Sequence, residues 1–216
     1  MAALPGPGSA GPACAVVDYG AGNLASVRRG LAAAGADVRV TTQPGDLDAA
    51  RLVVVPGVGH FAATRALDAG WRDAIRRAID RGAVLLGICL GMQWLFEGST
   101  EADDVPGLGL LAGRCDRLPG DAAFKVPHVG WNTLDAARPG AAMLAGLRPG
   151  ASAYFTHAFA APPGTDTVAV TTHGVTFASA VERGRVFGTQ FHPEKSGVAG
   201  RRMLANVVRL AADGGR

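Results

Sequence analysis

Cysteines, lysines and long apolar runs are all scarce in this chain of 216 residues. The three cysteines, Cys14, Cys89 and Cys115, are too few for a disulfide framework, which favours a reducing compartment such as the cytoplasm. The most apolar stretch, Gly82 to Phe96, is shorter than the about 20 residues that a membrane-spanning helix needs. We therefore expect a cytoplasmic protein without a membrane span.

Charged residues make up only 18% of the chain, and Lys125 and Lys195 are its only lysines. The formal net charge is +3, but the arginines are spread along the sequence and form no block of like charge. The charge pattern therefore gives no indication of a nucleic-acid-binding surface. A hydrophobic content of 48% excludes disorder of the whole chain.

Residues 1–12 consist mostly of alanine, glycine, proline and serine. They lack the basic and apolar regions of a signal peptide, so we expect a disordered tail. Residues 13–216 contain no internal repeat and no interdomain linker, and their number suits one domain with a full core.

Short apolar runs alternate with longer helical segments in the first half of the chain. The candidate helices, Leu24 to Ala34 and Phe61 to Arg81 with a break near Gly70, supply the crossovers that parallel strands need. Because strands such as Leu52 to Val55 and Val84 to Leu86 lack polar alternation, helices should cover both faces of the sheet. The sequence predicts an α/β fold with a doubly wound, mainly parallel sheet. Its parallel strands are Cys14 to Val17, Val38 to Thr41, Leu52 to Val55 and Val84 to Ile88.

The second half of the chain has strand-like runs joined by short turns that leave no room for helices. We expect an additional antiparallel or mixed strand region there. A final amphipathic helix, Gly200 to Ala212, suits docking against the sheet. The strand-like runs are Ser152 to Thr156, Thr167 to Thr172, Thr176 to Val181 and Val186 to Phe191.

The segment from Val84 to Gln93 carries the most specific chemical signal. A buried strand runs into a Gly-X-Cys-X-Gly turn centred on Cys89, and a helix follows. The glycines permit the strained turn of a nucleophile elbow, which projects the sulfur into a cleft, and the positive end of the helix favours the thiolate. We predict that Cys89 is a nucleophile and that Cys14 and Cys115, which lack this frame, are structural.

A thiolate nucleophile needs a base and a group that orients the base. His192 and Glu194 lie two residues apart, so at the end of an extended strand their side chains project to the same side. The Glu194 carboxylate can then hold one imidazole nitrogen while the other faces the sulfur. Cys89, His192 and Glu194 are therefore the candidate catalytic triad.

Acyl chemistry also needs hydrogen-bond donors where negative charge develops. The backbone N–H of Leu90 supplies one by its position after the nucleophile. The glycine-rich turn Pro56 to Gly59 follows a strand at the carboxyl edge of the sheet, where open α/β folds bind ligands. We assign the second donor to the N–H of Val58, which a peptide flip at Gly57 can turn toward the same oxygen. An ordinary strand-ending loop is the alternative.

Three motifs together resemble the class I glutamine amidotransferases. They are GICLGMQ around Cys89, PGVG at Pro56 to Gly59, and QFHPEKS from Gln190 to Ser196. Three further segments, DYGAGNL, KVPHVGWN and YFTHAF, narrow the resemblance to the glutaminase subunits of imidazole glycerol phosphate synthases. The resemblance extends from about Ala13 to the C-terminus. It implies a Cys-His-Glu triad, with no cofactor and no metal.

By this resemblance, Cys89 attacks the side-chain carboxamide of glutamine, His192 protonates the departing ammonia, and water then releases glutamate. The family's glutamine contacts fall on Gly57, Gln93 and Glu101. Glu101 can pair with the α-ammonium of the substrate, and a capping or solvated surface role is the alternative for it.

The chain departs from the family in one segment. Where the family usually has His, Ser or Thr, and Tyr, this chain has His157, Ala158 and Phe159. A side-chain hydroxyl is therefore missing from this strand. If the family's contacts there are mainly with the backbone, glutamine binding survives; otherwise the affinity for glutamine falls.

The resemblance also implies a partner subunit and a heterodimer. Glutaminases of this type pass ammonia through a tunnel to a (β/α)₈ barrel cyclase that makes imidazole glycerol phosphate and aminoimidazole carboxamide ribotide in histidine biosynthesis. They are nearly silent until the cyclase binds its nucleotide. The interface positions of the family fall on Asn23, Trp131, Tyr154, His157 and Lys195, although Trp131 and Tyr154 could equally lie in the core.

Other functions stay open on the sequence alone. A related glutaminase can serve another synthase, such as one that makes pyridoxal phosphate or guanylate, although KVPHVGWN speaks against it. A γ-glutamyl hydrolase uses a related elbow and acts without a partner. A noncatalytic scaffold protein can keep the cysteine elbow, but it needs no His-X-Glu segment opposite the cysteine.

Overall fold

The computed structural model describes residues 11–136 and 138–214, so residues 1–10 of the predicted tail lie outside the described residues. None of the helices in these ranges is long and apolar enough to cross a bilayer. The α-helices are α1 (Leu24–Ala33), α2 (Ala69–Asp80), α3 (Leu90–Leu95) and α4 (Gly197–Asp213). The strands are β1 (Ala13–Val17), β2 (Asp37–Thr41), β3 (Leu52–Gly57), β4 (Val84–Cys89), β5 (Gly98–Ser99), β6 (Arg114–Arg117), β7 (His128–Ala136), β8 (Ala151–His157), β9 (Phe159–Ala160), β10 (Thr167–His173), β11 (Val175–Arg183) and β12 (Val186–Thr189). Three 3₁₀ turns span Pro44–Ala49, Phe61–Ala66 and Pro193–Lys195.

Nine strands form one sheet in the order β2-β1-β3-β4-β12-β11-β10-β7-β8. The pairings from β2 to β12 are parallel, and those from β12 to β8 are antiparallel. The predicted parallel sheet with an antiparallel region in the C-terminal half is therefore confirmed. A second, three-stranded sheet in the order β5-β6-β9 was not predicted.

Side chains that alternate along the parallel strands enter two separate cores. Val16 of β1 and Val54 of β3 belong to one core, and their neighbours Val17 and Val55 belong to the other. Helices α1 and α4 contribute to the first core, and α2 and α3 contribute to the second. Because helices cover both faces, the central parallel strands β1, β3 and β4 are apolar, whereas the edge strand β2 keeps Asp37 and Arg39. The doubly wound architecture is thus confirmed.

Two features differ from the sequence prediction. The helical segment after β3 breaks at Leu67, between a 3₁₀ turn and α2, and not near Gly70. Asp68 fixes the start of α2 because its carboxylate accepts a hydrogen bond from the Trp71 N–H at 3.2 Å. Strand β7 was also missed, since its glycine, asparagine and aspartate are residue types that strands usually avoid.

The turn from β4 into α3 positions the candidate nucleophile. Cys89 has φ of 54° and ψ of −107°, and among the described residues it is the only one other than glycine with positive φ. Glycines allow α3 to approach the strands closely: a Cβ on Gly91 would overlap the Val55 carbonyl oxygen, and a Cβ on Gly87 would lie 2.7 Å from the Gly91 carbonyl oxygen. The geometry expected for a nucleophile elbow is therefore present.

We expect Gly91→Ala to lower the free energy of unfolding by about 3 kcal/mol, because α3 must move away from the β3 backbone to admit the methyl group. Urea denaturation measures this loss. Gly45→Ala is the matched control, since nothing lies within 4 Å of the Cβ that it adds. It should change the stability by less than about 0.5 kcal/mol. Equal effects of the two substitutions would contradict the close packing of α3.

Candidate active site

The predicted site residues meet at the carboxyl edge of the parallel strands. A cavity of about 40 Å³ opens there, and it has room for only a few water molecules. Its lining comes from the turn after β3, the elbow, the segment before β6, and the end of β8 with the residues that follow. The lining residues are Gly59, Cys89, Leu90, Gln93, Glu101, Thr156, His157, Ala158 and Phe159.

The Cys89 side chain is buried, but polar groups surround its sulfur. Gln190 Nε2 lies 3.6 Å from Sγ, and the thiol can donate to the Thr156 carbonyl oxygen at 3.9 Å. The other two cysteines differ in this respect. Burial raises the pKa of the Cys14 thiol to about 12 and raises that of Cys115 still further. Both stay protonated, in agreement with the structural role that the sequence predicts.

His192 and Glu194 form a buried pair beside this sulfur. Nδ1 of His192 lies 2.9 Å from Oε1 of Glu194, and the two side chains are 2% and 1% exposed. Burial alone would lower the pKa of His192, but the nearby Cys89 and Glu194 side chains outweigh burial and raise this pKa to about 9. Nε2 has no hydrogen-bond partner among the described residues, so it is the ring nitrogen left for the sulfur and a substrate.

The predicted contact between His192 and Glu194 is present, but strand alternation does not produce it. Strand β12 ends at Thr189, and a 3₁₀ turn spans Pro193–Lys195. This turn brings Glu194 back toward the imidazole. The spacing of two residues was therefore informative, although the local structure is a turn and not a strand.

The two predicted oxyanion-hole peptides border the same cysteine. Strand register places Gly57 opposite Cys89, and both Leu90 and Gly59 line the cavity. Val58, between the two glycines, has a side chain that is 38% exposed. The Val58 peptide therefore lies between a glycine opposite Cys89 and a glycine that lines the cavity.

Tyr19, at the end of β1, was not predicted as a site residue. Its hydroxyl is buried, has no hydrogen-bond partner among the described residues, and lies so close to Gly57 that any side chain there would overlap it. Burial, assisted by the nearby Cys89, raises the pKa of Tyr19, so the phenol stays neutral. Its place after a parallel strand, in the segment DYGAGNL, was the signal in the sequence.

Gln93, predicted to bind substrate, is held by its amide nitrogen. Nε2 donates to the Phe159 carbonyl oxygen at 2.7 Å and to Gln190 Oε1 at 3.2 Å. Because both amide protons are used, Oε1 of Gln93 is the atom left to accept a hydrogen bond from a substrate. Gln190 itself was part of the QFHPEKS motif, but the sequence did not suggest its contacts with Gln93 and Cys89.

Glu101, the other predicted substrate contact, makes the capping contact that was its alternative role and also lines the cavity. Its Oε2 accepts a hydrogen bond from the Phe61 N–H at 2.7 Å, at the start of the 3₁₀ turn Phe61–Ala66. The residue also lines the cavity and is only half-buried. One carboxylate oxygen therefore fixes the side chain, and the other is available to a cationic ligand.

The segment that departs from the family offers backbone groups to the site. The Phe159 carbonyl oxygen accepts hydrogen bonds from Gln93 and from His157 Nδ1, the latter at 3.0 Å. His157 is buried, and its Nε2 lies 3.1 Å from Nδ1 of His128. Burial lowers the pKa of His157 to about 3, so its imidazole is neutral. This side chain, predicted to touch a partner, therefore lies beneath the surface of the chain.

Three other predicted interface residues form a surface group that we call the aromatic–lysine cluster: the exposed Trp131 and Lys195, and the half-buried Tyr154. The Trp131 and Tyr154 rings meet edge to face at 6.1 Å, and the Lys195 ammonium lies 5.6 Å from the Tyr154 ring centre. Trp131 is 59% exposed, which excludes a core role for it. Asn23 is also exposed, and its side chain accepts a hydrogen bond from the Ser26 N–H at the start of α1.

Comparisons with known proteins find relatives over nearly the whole chain. The profile of the family "Glutamine amidotransferase class-I" matches residues 15–210. The imidazole glycerol phosphate synthase subunit HisH of Deinococcus radiodurans is 47% identical over 213 residues, covering 95% of this chain and 97% of the relative. The subunit HisH of Halobacterium salinarum is 47% identical and covers 96% and 98% of the two chains.

The fold also recurs in solved structures. A structure of PurLQS from Thermotoga maritima superposes with a TM-score of 0.72 at 21% identity, over 92% of this chain and 98% of that one. A likeness at this identity concerns the fold alone, whereas the HisH relatives match nearly the full length. The chain therefore belongs to the class I glutamine amidotransferases and, within them, to the family of imidazole glycerol phosphate synthase subunit HisH.

Proposed function

We propose that the chain is the cytoplasmic glutaminase subunit of an imidazole glycerol phosphate synthase in histidine biosynthesis, with Cys89, His192 and Glu194 as its catalytic triad. The observation that carries this proposal is the buried His192–Glu194 pair beside a cysteine on a strained strand–helix turn. Family membership supports glutamine as the substrate. The site supplies a thiol, an acid–base group and a carboxylate that orients it.

In the first half-reaction, the Cys89 thiolate attacks the side-chain carbonyl carbon of glutamine. The oxyanion that forms accepts hydrogen bonds from the N–H groups of Leu90 and Val58. His192 is protonated at neutral pH because its pKa is raised to about 9, and its Nε2 gives a proton to the amide nitrogen. The C–N bond breaks, ammonia leaves, and a thioester remains on the sulfur.

In the second half-reaction, the now neutral His192 takes a proton from a water molecule as that water attacks the thioester carbon. The C–S bond breaks, glutamate leaves, and the thiolate and the imidazolium are restored. Glu194 stabilises the positive imidazole ring and keeps its Nδ1 proton in place throughout.

The amino-acid end of the substrate meets two acceptors. Glu101 has one oxygen fixed by the Phe61 N–H, and its other oxygen pairs with the α-ammonium group. Gln93 presents Oε1, since both of its amide protons are used within the protein. The Phe159 carbonyl orients Gln93 without any side-chain hydroxyl from this segment, so we expect glutamine binding to survive this departure.

The second part of the proposal is a (β/α)₈ cyclase partner that docks on the aromatic–lysine cluster. Hydrogen bonds of the Tyr154 main chain link the cluster to the triad. The Tyr154 carbonyl accepts a hydrogen bond from the His192 N–H at 2.9 Å, and the Tyr154 N–H donates to Ser196 Oγ at 3.0 Å. Lys195 directly follows Glu194 in the 3₁₀ turn. Partner contacts at this surface therefore act on the residues that hold the acid–base group.

A need for the partner also follows from the chemistry of ammonia. Ammonia released into water is protonated and loses its nucleophilicity, so the product is useful only if a tunnel carries it to the cyclase. The cavity beside Cys89 is lined by Gly59 of the turn after β3, so a partner that moves this turn changes access to the sulfur. Partner binding that opens this cavity and turns the Val58 peptide inward would couple glutamine hydrolysis to the cyclase.

We expect Cys89→Ala to reduce glutamine hydrolysis at least about 10³-fold in the presence of the cyclase, because no thioester can form. Circular dichroism and the melting temperature check that the variant is folded. Cys14→Ala is the control, since this buried cysteine lies on β1 and is predicted to be structural. Ammonia release by Cys89→Ala at the rate of Cys14→Ala would reject the proposed nucleophile.

We expect Glu194→Gln to lower kcat by roughly 10²-fold, less than Cys89→Ala, because it disturbs the orientation of the base and not the nucleophile. It should also change how stability depends on pH. The pKa of His192 is raised from 6.5 to about 9, so its contribution is complete below pH 6.5 and is lost as the pH rises through about 9. The wild-type free energy of unfolding should therefore fall across this window, by at most about 3 kcal/mol.

Urea denaturation at several pH values measures this fall for both proteins. Glu194→Gln removes one of the groups that raise the pKa of His192, so its stability curve should be flatter between pH 6.5 and 9. Parallel curves for the two proteins would show that the pair does not form in solution.

We expect the isolated chain to release little ammonia, and the addition of a (β/α)₈ cyclase with its nucleotide to raise turnover steeply. Trp131→Ala should weaken the complex about thirtyfold, as expected for a central aromatic anchor. Titration calorimetry and an ammonia assay measure the two effects. Val175→Ala, an exposed hydrophobic residue outside the aromatic–lysine cluster, should leave the affinity unchanged. Equal rates with and without the cyclase would contradict the proposed coupling.

A further inference from the structure

Two side-chain amides form a continuous hydrogen-bonded chain that ends at the nucleophile. Gln93 Nε2 donates to the Phe159 carbonyl oxygen at 2.7 Å and to Gln190 Oε1 at 3.2 Å. Gln190 Nε2 then lies 3.6 Å from Cys89 Sγ. Gln190 is fully buried, and Gln93 is 5% exposed. Water therefore competes little for these bonds.

The direction of this chain is fixed by a group that cannot donate. A backbone carbonyl only accepts hydrogen bonds, so the atom of Gln93 beside the Phe159 oxygen must be its NH₂ group. The atom of Gln190 that faces this NH₂ group must then be its oxygen. The other end of the Gln190 amide, directed at Cys89, is consequently the NH₂ group. The contacts of Gln93 therefore exclude the flipped orientation of the Gln190 amide, and the sulfur faces a hydrogen-bond donor.

The backbone around Gln190 also holds this side chain in place. Its N–H donates to the Ser179 carbonyl oxygen at 3.0 Å, directly after β12 ends. Strand β12 pairs with β4, with Thr189 opposite Ile88, so the residues after these positions, Gln190 and Cys89, emerge side by side. Sheet pairing therefore brings the amide to the sulfur, and no movement of the chain is needed.

We propose that Gln190 donates a hydrogen bond to the Cys89 sulfur, favours its thiolate form, and ties the orientation of the nucleophile to that of the substrate-binding Gln93. The inference rests on the proposed role of Cys89 as the nucleophile. A donor aimed at a sulfur anion is a charge-assisted hydrogen bond, stronger than the same bond to the neutral thiol. Gln190 contacts the reacting atom directly and is an element of the reaction that the His192–Glu194 pair does not supply.

The test is the rate at which iodoacetamide alkylates Cys89 in the full chain, with the modified cysteine identified by mass spectrometry of peptides. The thiolate displaces iodide, so the second-order rate constant reports its population and exposure. Gln190→Met keeps the length of the side chain but removes the donor, and we expect the rate constant to fall at least about tenfold. Gln190→Glu replaces the donor by a carboxylate and should lower the rate constant further.

The control is Thr189→Val. It removes a neighbouring buried hydrogen bond, from Thr189 Oγ1 to the Phe191 carbonyl oxygen at 3.0 Å, that does not involve the sulfur. Its alkylation rate should equal that of the wild type. In the complex with the cyclase, Gln190→Met should also lower kcat for glutamine by about the factor found for alkylation. If these substitutions only disturb packing, the melting temperatures of Thr189→Val and Gln190→Met fall. The alkylation rate constant and kcat of Gln190→Met then do not fall by the same factor.

The order of rates decides the inference. It is overturned if Gln190→Met reacts within twofold of the wild type, or if Gln190→Glu reacts faster than Gln190→Met. If the Gln190 variants do not fold, Gln93→Met tests the same hydrogen-bonded chain. Without Gln93, the Gln190 amide can turn its oxygen toward the sulfur, so alkylation of Cys89 should slow about threefold. An unchanged alkylation rate overturns the inference. If alkylated Cys89 still supports glutamine hydrolysis, the proposed nucleophile itself fails, which is a different result.

Discussion

At Cys89 the backbone leaves a buried strand with φ of 54°, a conformation that costs on the order of 1–3 kcal/mol for a residue with a Cβ atom. The surrounding packing imposes it, since Gly91 lets α3 lie directly on the β3 backbone and both faces of β4 are covered. Strand β4 also lies between β3 and β12. The segments that follow these two neighbours therefore flank the sulfur: Val58 and Gly59 on one side, and Gln190 to Glu194 on the other.

Backbone carbonyls of β8 and the residues after it orient the polar side chains around this cysteine. The carbonyl oxygens of Tyr154, Thr156 and Phe159 face the His192 N–H, the Cys89 thiol and the Gln93 amide, respectively. Since a carbonyl can only accept, the contact with Phe159 fixes which end of the Gln93 amide faces this carbonyl. These contacts of β8 and of the segment that departs from the family are made by main chain, which replacement of the side chains leaves in place.

The sequence was sufficient where the signal is local. Unbroken apolar runs predicted the central parallel strands, the glycines around Cys89 predicted the elbow, and two-residue spacing predicted the contact between His192 and Glu194. Contacts that depend on strand pairing could not be predicted from the sequence. That Gln190 faces the sulfur depends on β12 lying beside β4, although the two residues are about a hundred positions apart in the chain.

Burial could not be predicted from the sequence either, because it depends on the whole fold. His157 matched an interface position in the family, yet it lies beneath the surface and contacts His128. Tyr19 occupies a motif with no evident chemistry, but the fold places its unpaired hydroxyl against Gly57. In both cases the residue type was visible in the sequence, whereas its neighbours were determined by strand order and loop packing.

The same architecture explains how a surface contact can reach buried chemistry over a short distance. A partner seated on the Tyr154 ring acts on a residue whose carbonyl holds the His192 main chain and whose strand continues into the cavity wall at Thr156. A displacement of β8 of a few tenths of an ångström would change the His192 position and the width of the cavity together, because close-packed strands move as units. Under the proposed function, the acid–base geometry and the access of substrate to the cavity would thus both depend on β8.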